Sequence, residues 1–417
     1  MTRLADLGHD ELVGLLTCTD PERLARLYAQ ADAVRRETVG SDVHLRALVE
    51  VSNVCARRCA YCGIAAYNGG LARYRMDEDA VVRAAQHAAR LGLGTTVLQA
   101  GEDPALDAET VARMVRAIKE STGMAVTLSL GERSNEELAL WRKAGADRYL
   151  LRFETSDDEL FAQIHPPAEV GALAHTSTTA AMAPATEPPS RGSSQRQVQE
   201  GGAMLARTSN PRFAVLESLR ELGYEVGSGV MVGIPGQSFE TLASDLQRFS
   251  ELELDMVGIG PFIPHPDTPL GAQALANRAN GHAFACLDEP SQPSQGFEPA
   301  KPTDQVPADA NTTFKMLALT RLLLPGANIP ATTALGVMGE EAARRQAFDC
   351  GANVVMPNFT PPRFRALYSI YEGKDAESES GKVLEDLCRQ IEAAGRTVGT
   401  GAGSSRSFQQ RRNGQGA

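Results

Sequence analysis

The sequence lacks the features of a membrane-spanning, exported or nucleic-acid-binding protein. It contains no uninterrupted apolar run long enough to cross a bilayer, and its first residues have no signal-peptide core. The net charge of −11 argues against a nucleic-acid partner, because such partners are normally met by a basic surface. We therefore expect no membrane and no nucleic acid among the partners of this chain.

A disulfide framework is also missing. Four of the seven cysteines, Cys18, Cys286, Cys350 and Cys388, are scattered singly along the chain. This usage is typical of a reducing compartment. We expect the cytoplasm, or the chloroplast stroma if the source is an alga, although no transit peptide is visible from Met1.

The remaining three cysteines lie close together. Cys55, Cys59 and Cys62 follow the spacing C-x₃-C-x₂-C, and Tyr61 precedes the last of them. Three thiolates are one fewer than a closed tetrahedral metal site or a fully ligated 4Fe–4S cluster requires. The pattern resembles the signature of radical S-adenosylmethionine (SAM) enzymes, in which the open iron chelates SAM and an electron cleaves it to a 5′-deoxyadenosyl radical. A zinc knuckle without its fourth ligand and three unrelated thiols are the alternatives.

Strand-like runs alternate with amphipathic, helix-like segments through most of the chain. This alternation predicts an α/β fold with a parallel sheet, and eight repeats predict a complete (β/α)₈ barrel of the TIM type. We expect N-terminal helices in residues 1–42, the barrel in 43–375, and a C-terminal helix with a tail flexible from Gly399 in 376–417. The predicted strands are Leu45–Ser52, Thr95–Gln99, Ala125–Leu130, Arg148–Phe153, Val226–Val232, Met256–Phe262, Asn328–Thr332 and Asn353–Met356.

Two segments interrupt the alternation. Residues of about 168–208 and 271–312 are rich in small residues, proline and polar residues and poor in large apolar ones. Such segments cannot bury enough apolar surface to offset their ordering entropy. We predict that both are disordered loop insertions in a single barrel domain.

Glycines and a carboxylate follow two of the predicted strands. Gly101 and Glu102 end the second strand, where radical SAM enzymes have a glycine–glutamate element that meets the amino group of SAM. A Gly-Glu pair is also a common helix start. Gly229, Gly233 and Gly236 end the fifth strand and would let the backbone approach a flat group such as adenine. An ordinary turn between strand and helix explains them equally well.

Three charged residues are candidates for the interior of the barrel. Arg152 and Glu154 are two apart in the fourth strand and so point to the same side, where burial requires a partner or a ligand. An internal ion pair that only stabilises the barrel is the alternative. Arg212, at a predicted helix start, suits a carboxylate such as that of SAM, but could equally be a solvated surface residue.

Several longer stretches resemble the HydE family, the radical SAM maturases of FeFe-hydrogenase. The resemblance covers residues 43–374 apart from the two insertions. The long stretch after the sixth strand, residues 258–270, is more diagnostic than the cysteine motif. The other stretches that resemble the family are residues 44–46, 59–63, 73–76, 98–103, 144–152, 329–334 and 352–358.

The resemblance implies the site and its chemistry. One 4Fe–4S cluster and SAM would lie at the C-terminal mouth of the barrel, with Glu154 and Arg212 helping to hold SAM. The adenosyl radical would add to sulfur of an iron-bound cysteine precursor of the dinuclear iron site. The implied partners are the GTPase scaffold HydF, the tyrosine lyase HydG and an electron donor such as ferredoxin or flavodoxin. The substrate cavity would be lined by Arg152, Thr332, Thr333, Tyr368 and Tyr371.

The sequence also departs from the family. Some members carry three further cysteines after a Tyr-x-Gly-Lys stretch, whereas only Cys388 follows Tyr371 here, so we predict no second cluster. Methylornithine synthase and biotin synthase, which are radical SAM barrels of similar build, are rival interpretations. A non-catalytic cluster scaffold is a further alternative from another functional class.

Overall fold

Short parallel strands alternate with helices in this computed structural model, which describes residues 7–167, 210–279, 304–337, 340–370 and 380–414. The strands within these ranges are β1 (Asp42–Leu45), β2 (Ala47–Ser52), β3 (Thr95–Ala100), β4 (Ala125–Ser129), β5 (Arg148–Leu150), β6 (Glu225–Val232), β7 (Met256–Pro261), β8 (Val354–Val355) and β9 (Thr397–Gly399). The helices are α1 (His9–Leu16), α2 (Pro21–Thr38), α3 (Glu78–Arg90), α4 (Ala108–Thr122), α5 (Asn135–Ala144), α6 (Asp158–Ile164), α7 (Arg212–Glu221), α8 (Phe239–Glu251), α9 (Pro269–Ala279), α10 (Ala310–Leu323), α11 (Thr333–Val337), α12 (Glu340–Asp349), α13 (Pro362–Arg365), α14 (Ser380–Ala393) and α15 (Arg406–Gly414).

The main sheet has six parallel strands in the order β2-β3-β4-β5-β6-β7. A second parallel sheet has the order β8-β1-β9. Isolated parallel bridges join β7 to Asn328 and Ala331, and Pro330 to Val354 of β8. A further bridge joins Asn358 to Leu48 of β2. The protein is therefore an α/β protein with parallel sheets, as the alternation in the sequence predicts.

Three predicted strands differ clearly from the observed ones. The predicted strand Arg148–Phe153 ends at Leu150 as β5, so Arg152 and Glu154 follow the strand and do not lie in it. The run Leu45–Ser52 divides at Arg46, because β1 pairs with β8 and β9 whereas β2 pairs with β3. The predicted strand Asn328–Thr332 makes only isolated bridges. Pro330 has no N–H to donate to a ladder, which explains the interruption. Strand β9 was not predicted at all.

The helices begin at polar caps and pack their apolar sides on the sheet. The Asp77 and Asp107 side chains accept backbone hydrogen bonds at the starts of α3 and α4. Ser134 and Glu137 form a capping box at the start of α5. Helix α3 contacts β2, α4 contacts β4, α7 and α8 contact β6, and α10 contacts β7. This packing leaves the carboxyl ends of the strands open at one edge.

The N-terminal helices add to the outer layer. Helix α1 contacts α8 and α10, and α2 contacts α10 and α12. Buried Arg35 of α2 donates to the carbonyl oxygens of Ala352, Gly40 and Asp42 at 3.1, 2.7 and 3.0 Å. In the part of the chain that the structure describes, no helix combines the length and apolarity needed to cross a membrane.

The C-terminal tail is ordered, which corrects the prediction of flexibility from Gly399. It contains the end of β9 and helix α15, and it covers the amino ends of the strands. The carbonyl oxygen of Ala402 accepts from Arg148 at 2.7 Å, and the N–H of Ser405 donates to Glu225 at 2.8 Å. Arg411 pairs with Asp255. Hydrogen bonds to buried charges, rather than apolar contacts, therefore order this segment.

The second predicted insertion, residues 271–312, is too long at both ends. Residues 271–279 belong to α9, and α10 begins at Ala310. Between them, Gln305 donates to the carbonyl oxygen of Ile234 at 3.1 Å. The rest of this insertion (280–303) and the first predicted insertion (168–208) lie outside the described residues.

Candidate active site

The carboxyl ends of the strands surround one cavity of about 350 Å³. Its wall takes residues from β2 through β7, from the segment at 330–334 and from Met356 and Tyr368. In α/β folds with parallel strands, ligands bind outside these ends. Eleven of the thirteen site residues singled out in the sequence line this cavity, namely Cys55, Cys59, Cys62, Gly101, Glu102, Arg152, Glu154, Arg212, Thr332, Thr333 and Tyr368.

The remaining two predicted site residues are Gly233 and Tyr371. Gly233 does not line the cavity, and a Cβ added there would lie 2.3 Å from Cα of Ala308. Its N–H donates to the side chain of Gln237 at 2.7 Å. The segment that leads into α10 therefore requires this glycine, which supports the ordinary-turn interpretation over adenine contact. Tyr371 lies outside the described residues.

The cysteine loop follows β2 and is held by hydrogen bonds from distant parts of the chain. The N–H of Ala56 donates to the carbonyl oxygen of Glu102 at 2.8 Å, and the N–H of Ala60 donates to that of Ile164 at 2.9 Å. The guanidinium of Arg73 donates to four backbone carbonyl oxygens of the loop region, at 2.6–3.0 Å. These hydrogen bonds fix the position of the loop relative to the sheet.

Close packing around the loop requires glycine at positions 63 and 101 and gives His265 a structural place beside Gly63. A Cβ at Gly63 would lie 2.3 Å from the carbonyl oxygen of Ser369 and 2.6 Å from Cδ2 of His265. A Cβ at Gly101 would lie 2.6 Å from Cβ of Cys55. His265 accepts the backbone N–H of Asp267 at Nδ1, 3.1 Å away. In this packing His265 holds the loop in place and does not line the cavity.

The three thiols fit an iron–sulfur cluster better than a single zinc ion. Burial raises the pKa of Cys55, raises that of Cys59 to about 12, and raises that of Cys62 further. Thiolates in this setting require positive charge from a bound metal centre. Within the described ranges, no three His, Cys, Asp or Glu side chains form a group that could hold a single metal ion. A cubane cluster binds each thiolate through a different iron, so the three sulfurs need not meet at one ion.

Charged side chains of alternating sign extend from the loop across the mouth of the cavity. Arg57 pairs with Glu102 at 2.5 Å and with Glu132 at 2.6 Å. Glu132 pairs with Nε of Arg212 at 3.0 Å. Arg57 and Glu132 were not identified from the sequence, because they meet only in the folded chain.

Arg212 lies at the first position of α7, and most of its guanidinium is engaged. Nε donates to Glu132, and Nη1 donates to the carbonyl oxygen of Arg152 at 2.6 Å. The group also lies over the ring of Phe161, 5.4 Å from its centroid. Nη2 has no hydrogen-bond partner among the residues described. Arg212 is buried rather than solvated, and it lines the cavity.

Glu154 occupies a strained position beside the cavity. Its φ is +65°, a left-handed conformation that is uncommon for a residue other than glycine. Its carboxylate pairs with Nε of Arg152 at 3.1 Å. The next turn is held by buried Asp245, which accepts the N–H and the hydroxyl of Ser156, both at 2.6 Å. The internal pair considered from the sequence therefore exists, and it faces the cavity.

Tyr61 and His165 form a hydrogen-bonded pair beside Glu154. Burial, with a contribution from nearby Arg212, lowers the pKa of His165 to about 2, so the ring is neutral. Its Nδ1 lies 3.2 Å from the carbonyl oxygen of Phe161 and must donate there. Nε2 is then the acceptor for the Tyr61 hydroxyl at 3.1 Å, and that hydroxyl lies 3.5 Å from Glu154. No local signal marks His165 in the sequence.

The inner end of the cavity carries hydroxyl groups. Thr332 donates to the carbonyl oxygen of Ile259 at 3.1 Å, and Gln99 donates to the hydroxyl of Tyr368 at 3.2 Å. Methionines Met231, Met256 and Met356 line the same space. Most of the wall is apolar, with a few polar groups that could orient a ligand.

The fold and the site define a radical SAM protein, and comparison with known proteins agrees. The sequence profile of the radical SAM superfamily matches residues 49–174. The [FeFe] hydrogenase maturase subunit HydE of Thermotoga maritima is 39% identical to this chain over 374 residues, which are 89% of this chain and 86% of that protein. The chain belongs to the HydE family of radical SAM maturases. It is a radical SAM enzyme of hydrogenase maturation with a 4Fe–4S cluster and SAM as its cofactors.

Solved structures show the same fold at lower identity. The crystal structure of methylornithine synthase (PylB) has a TM-score of 0.67 and 22% identity, covering 95% of this chain and 97% of that chain. The maturase HydG from Carboxydothermus hydrogenoformans has a TM-score of 0.67 and 17% identity, covering 94% of this chain and 75% of that chain. These similarities support the α/β architecture of the radical SAM enzymes.

Proposed function

We propose that this enzyme directs a 5′-deoxyadenosyl radical onto an iron-bound cysteine precursor of the dinuclear iron site of FeFe-hydrogenase. One observation carries the proposal: three thiols, three carboxylates, three guanidinium groups and a hydroxyl-bearing inner wall all line one cavity. Cofactor and substrate would therefore share a single space that is partly shielded from water. A non-catalytic scaffold would not need a cavity of this composition.

In this proposal the chain's own residues orient SAM. Cys55, Cys59 and Cys62 would hold the cluster, which would supply the single electron for the reductive cleavage of SAM. Glu102 accepts a hydrogen bond from the ammonium group of SAM, since its carboxylate has lone pairs beyond those used by Arg57. Nη2 of Arg212 donates to the SAM carboxylate, a charge-assisted bond. Gly101 allows the backbone to lie against the loop.

We propose that the sheet closes into a complete eight-stranded barrel around this cavity. The bridges through Asn328, Ala331, Val354 and Asn358 lead from β7 back to β2 and support closure. Closure would exclude water from the inner end, where a carbon radical must be protected from side reactions.

The substrate would occupy the inner end of the cavity. Arg152 suits the carboxylate of an iron-bound cysteine, and Thr332, Thr333 and Tyr368 offer hydroxyl groups. We place Tyr371 beside them as a proposal from the resemblance alone. HydF, HydG and a ferredoxin or flavodoxin are the proposed partners that accept the product, supply the precursor and provide electrons.

The test is a single-turnover assay under anaerobic conditions. Reconstituted protein with SAM and dithionite should release methionine from SAM, and an iron-bound cysteine complex should be converted while free cysteine is not. Release without conversion of the complex would retain the enzyme class and reject the substrate. The same protein with lysine should give no methylornithine, and formation of methylornithine would favour the rival activity.

A prediction about Glu102 follows from Gly131, whose φ is +79°. A Cβ there would lie 2.0 Å from Cγ of Glu102 and would push the carboxylate away from Arg57. We expect Gly131→Ala to raise the KM for SAM about tenfold, equivalent to ~1.4 kcal/mol of lost binding. SAM cleavage at varied SAM concentration measures it.

Gly123 provides a matched control for this substitution. Its φ is +67°, and nothing lies within 4 Å of an added Cβ. Gly123→Ala should lower the free energy of unfolding by about 1–2 kcal/mol through the left-handed backbone, without changing the KM. Equal KM values for the two variants would show that Glu102 does not contact SAM.

A further inference from the structure

Glu132 is a carboxylate at the mouth of the cavity that joins two arginines from distant parts of the chain. It follows β4 and Gly131, and its side chain is 17% exposed. One oxygen lies 2.6 Å from Nη2 of Arg57, in the cysteine loop, and the other lies 3.0 Å from Nε of Arg212, at the start of α7. Both oxygens are therefore used, one for each arginine.

The backbone of Glu132 contributes a third link. Its N–H donates to Oε1 of Glu102 at 3.1 Å, so the turn after β4 also orients the end of β3. Three parts of the site, namely the cysteine loop, Glu102 and Arg212, thus meet at one residue.

The electrostatics require a carboxylate in this place. Arg57 and Arg212 are close enough to repel each other, and Arg212 is almost fully buried. An amide has one acceptor oxygen and would remove the negative charge that lies between the two guanidinium groups. Arg57 would then keep Glu102 and Arg212 would keep the carbonyl oxygen of Arg152, but the link between the two arginines would be lost.

We propose that Glu132 is a positioning residue of the SAM site, which holds Arg57 and Arg212 in one geometry so that Nη2 of Arg212 faces the cavity. The proposal rests on the proposed function, because it takes the SAM carboxylate as the ligand of Arg212. Glu132 itself need not touch SAM, since both of its oxygens already serve the arginines.

The test compares Glu132→Gln and Glu132→Asp with Glu136→Gln, a matched control at an exposed glutamate four residues away. Isothermal titration of SAM into the reconstituted protein measures affinity, and 5′-deoxyadenosine release separates KM from kcat. We expect Glu132→Gln to weaken SAM binding and raise the KM by about tenfold, the loss of one charge-assisted interaction, with kcat retained. Glu132→Asp keeps the charge but reaches less far, so its effect should be smaller.

The results that would contradict the positioning role can be distinguished from those that would contradict the proposed function. Unchanged affinity and KM in Glu132→Gln, or a loss of kcat at unchanged affinity, would overturn the positioning role. Failure of Glu132→Gln to fold, seen as a lost thermal transition, would make the residue structural and would also overturn it. If the wild-type protein neither binds nor cleaves SAM, the proposed function itself fails, which is a different result.

Discussion

Replacing Cys59 by serine is expected to abolish SAM cleavage, with a fall of at least about 1,000-fold, or ~4 kcal/mol of activation free energy. Cys59 is the middle of the three thiols; it is partly buried and lines the cavity with the other two. A serine hydroxyl is a poor ligand for iron, and the two remaining thiols cannot retain the cluster. The variant should therefore lose cluster absorbance and iron together with activity.

The measurements are 5′-deoxyadenosine release, iron content and the visible spectrum after anaerobic reconstitution. Cys388→Ser is the matched control, because Cys388 lies in α14, whose residues do not line the cavity. It should keep both cluster and activity. Full SAM cleavage by Cys59→Ser would exclude the cysteine loop as the cluster site.

Replacing Arg212 by lysine is expected to weaken SAM binding about 100-fold, or ~2.7 kcal/mol. The guanidinium donates to Glu132 and to the carbonyl oxygen of Arg152, and the side chain lines the cavity. A lysine ammonium keeps the charge but cannot reproduce this planar arrangement of donors. The loss should appear in the dissociation constant for SAM and in the KM.

Titration of SAM and the concentration dependence of 5′-deoxyadenosine release both test this expectation. Arg83→Lys on α3 is the control, since its side chain is 64% exposed and pairs only with surface aspartates. If Arg212→Lys binds SAM as tightly as the control, the SAM carboxylate is held elsewhere.

Local spacing was enough to identify part of the site. Cys55, Cys59 and Cys62 lie within eight residues, so their pattern is readable without the fold. Gly101–Glu102 and the Arg152/Glu154 pair were found because each follows a recognisable strand. Contacts exclude a solvated Arg212, which is buried against Phe161, and they show that the Arg152–Glu154 ion pair faces the cavity.

Contacts between distant residues could not be found in this way. Glu132 pairs with Arg57 and Arg212, 75 and 80 residues away in the chain. At Gly233 the error is the opposite one, a cofactor contact predicted where the glycine serves close packing. A glycine after a strand suits both a nearby ligand and a closely packed segment. Only the position of Ala308 distinguishes the two.

Composition was also misleading at the C terminus. The residues after Gly399 are rich in glycine and serine and offer little apolar surface, which is typical of a flexible tail. They are ordered because Arg148, Glu225 and Asp255 are buried at the amino ends of the strands and need polar partners.

The sequence alone determined the chemical class of the protein, because three thiols at C-x₃-C-x₂-C spacing and an alternation of strands and helices are local properties. It also indicated the HydE family through stretches that each lie within a few residues. The tertiary structure decided which side chains share the cavity and which arginines Glu132 holds. Those choices depend on pairings across many residues, where burial makes an unpaired charge costly and so selects one arrangement.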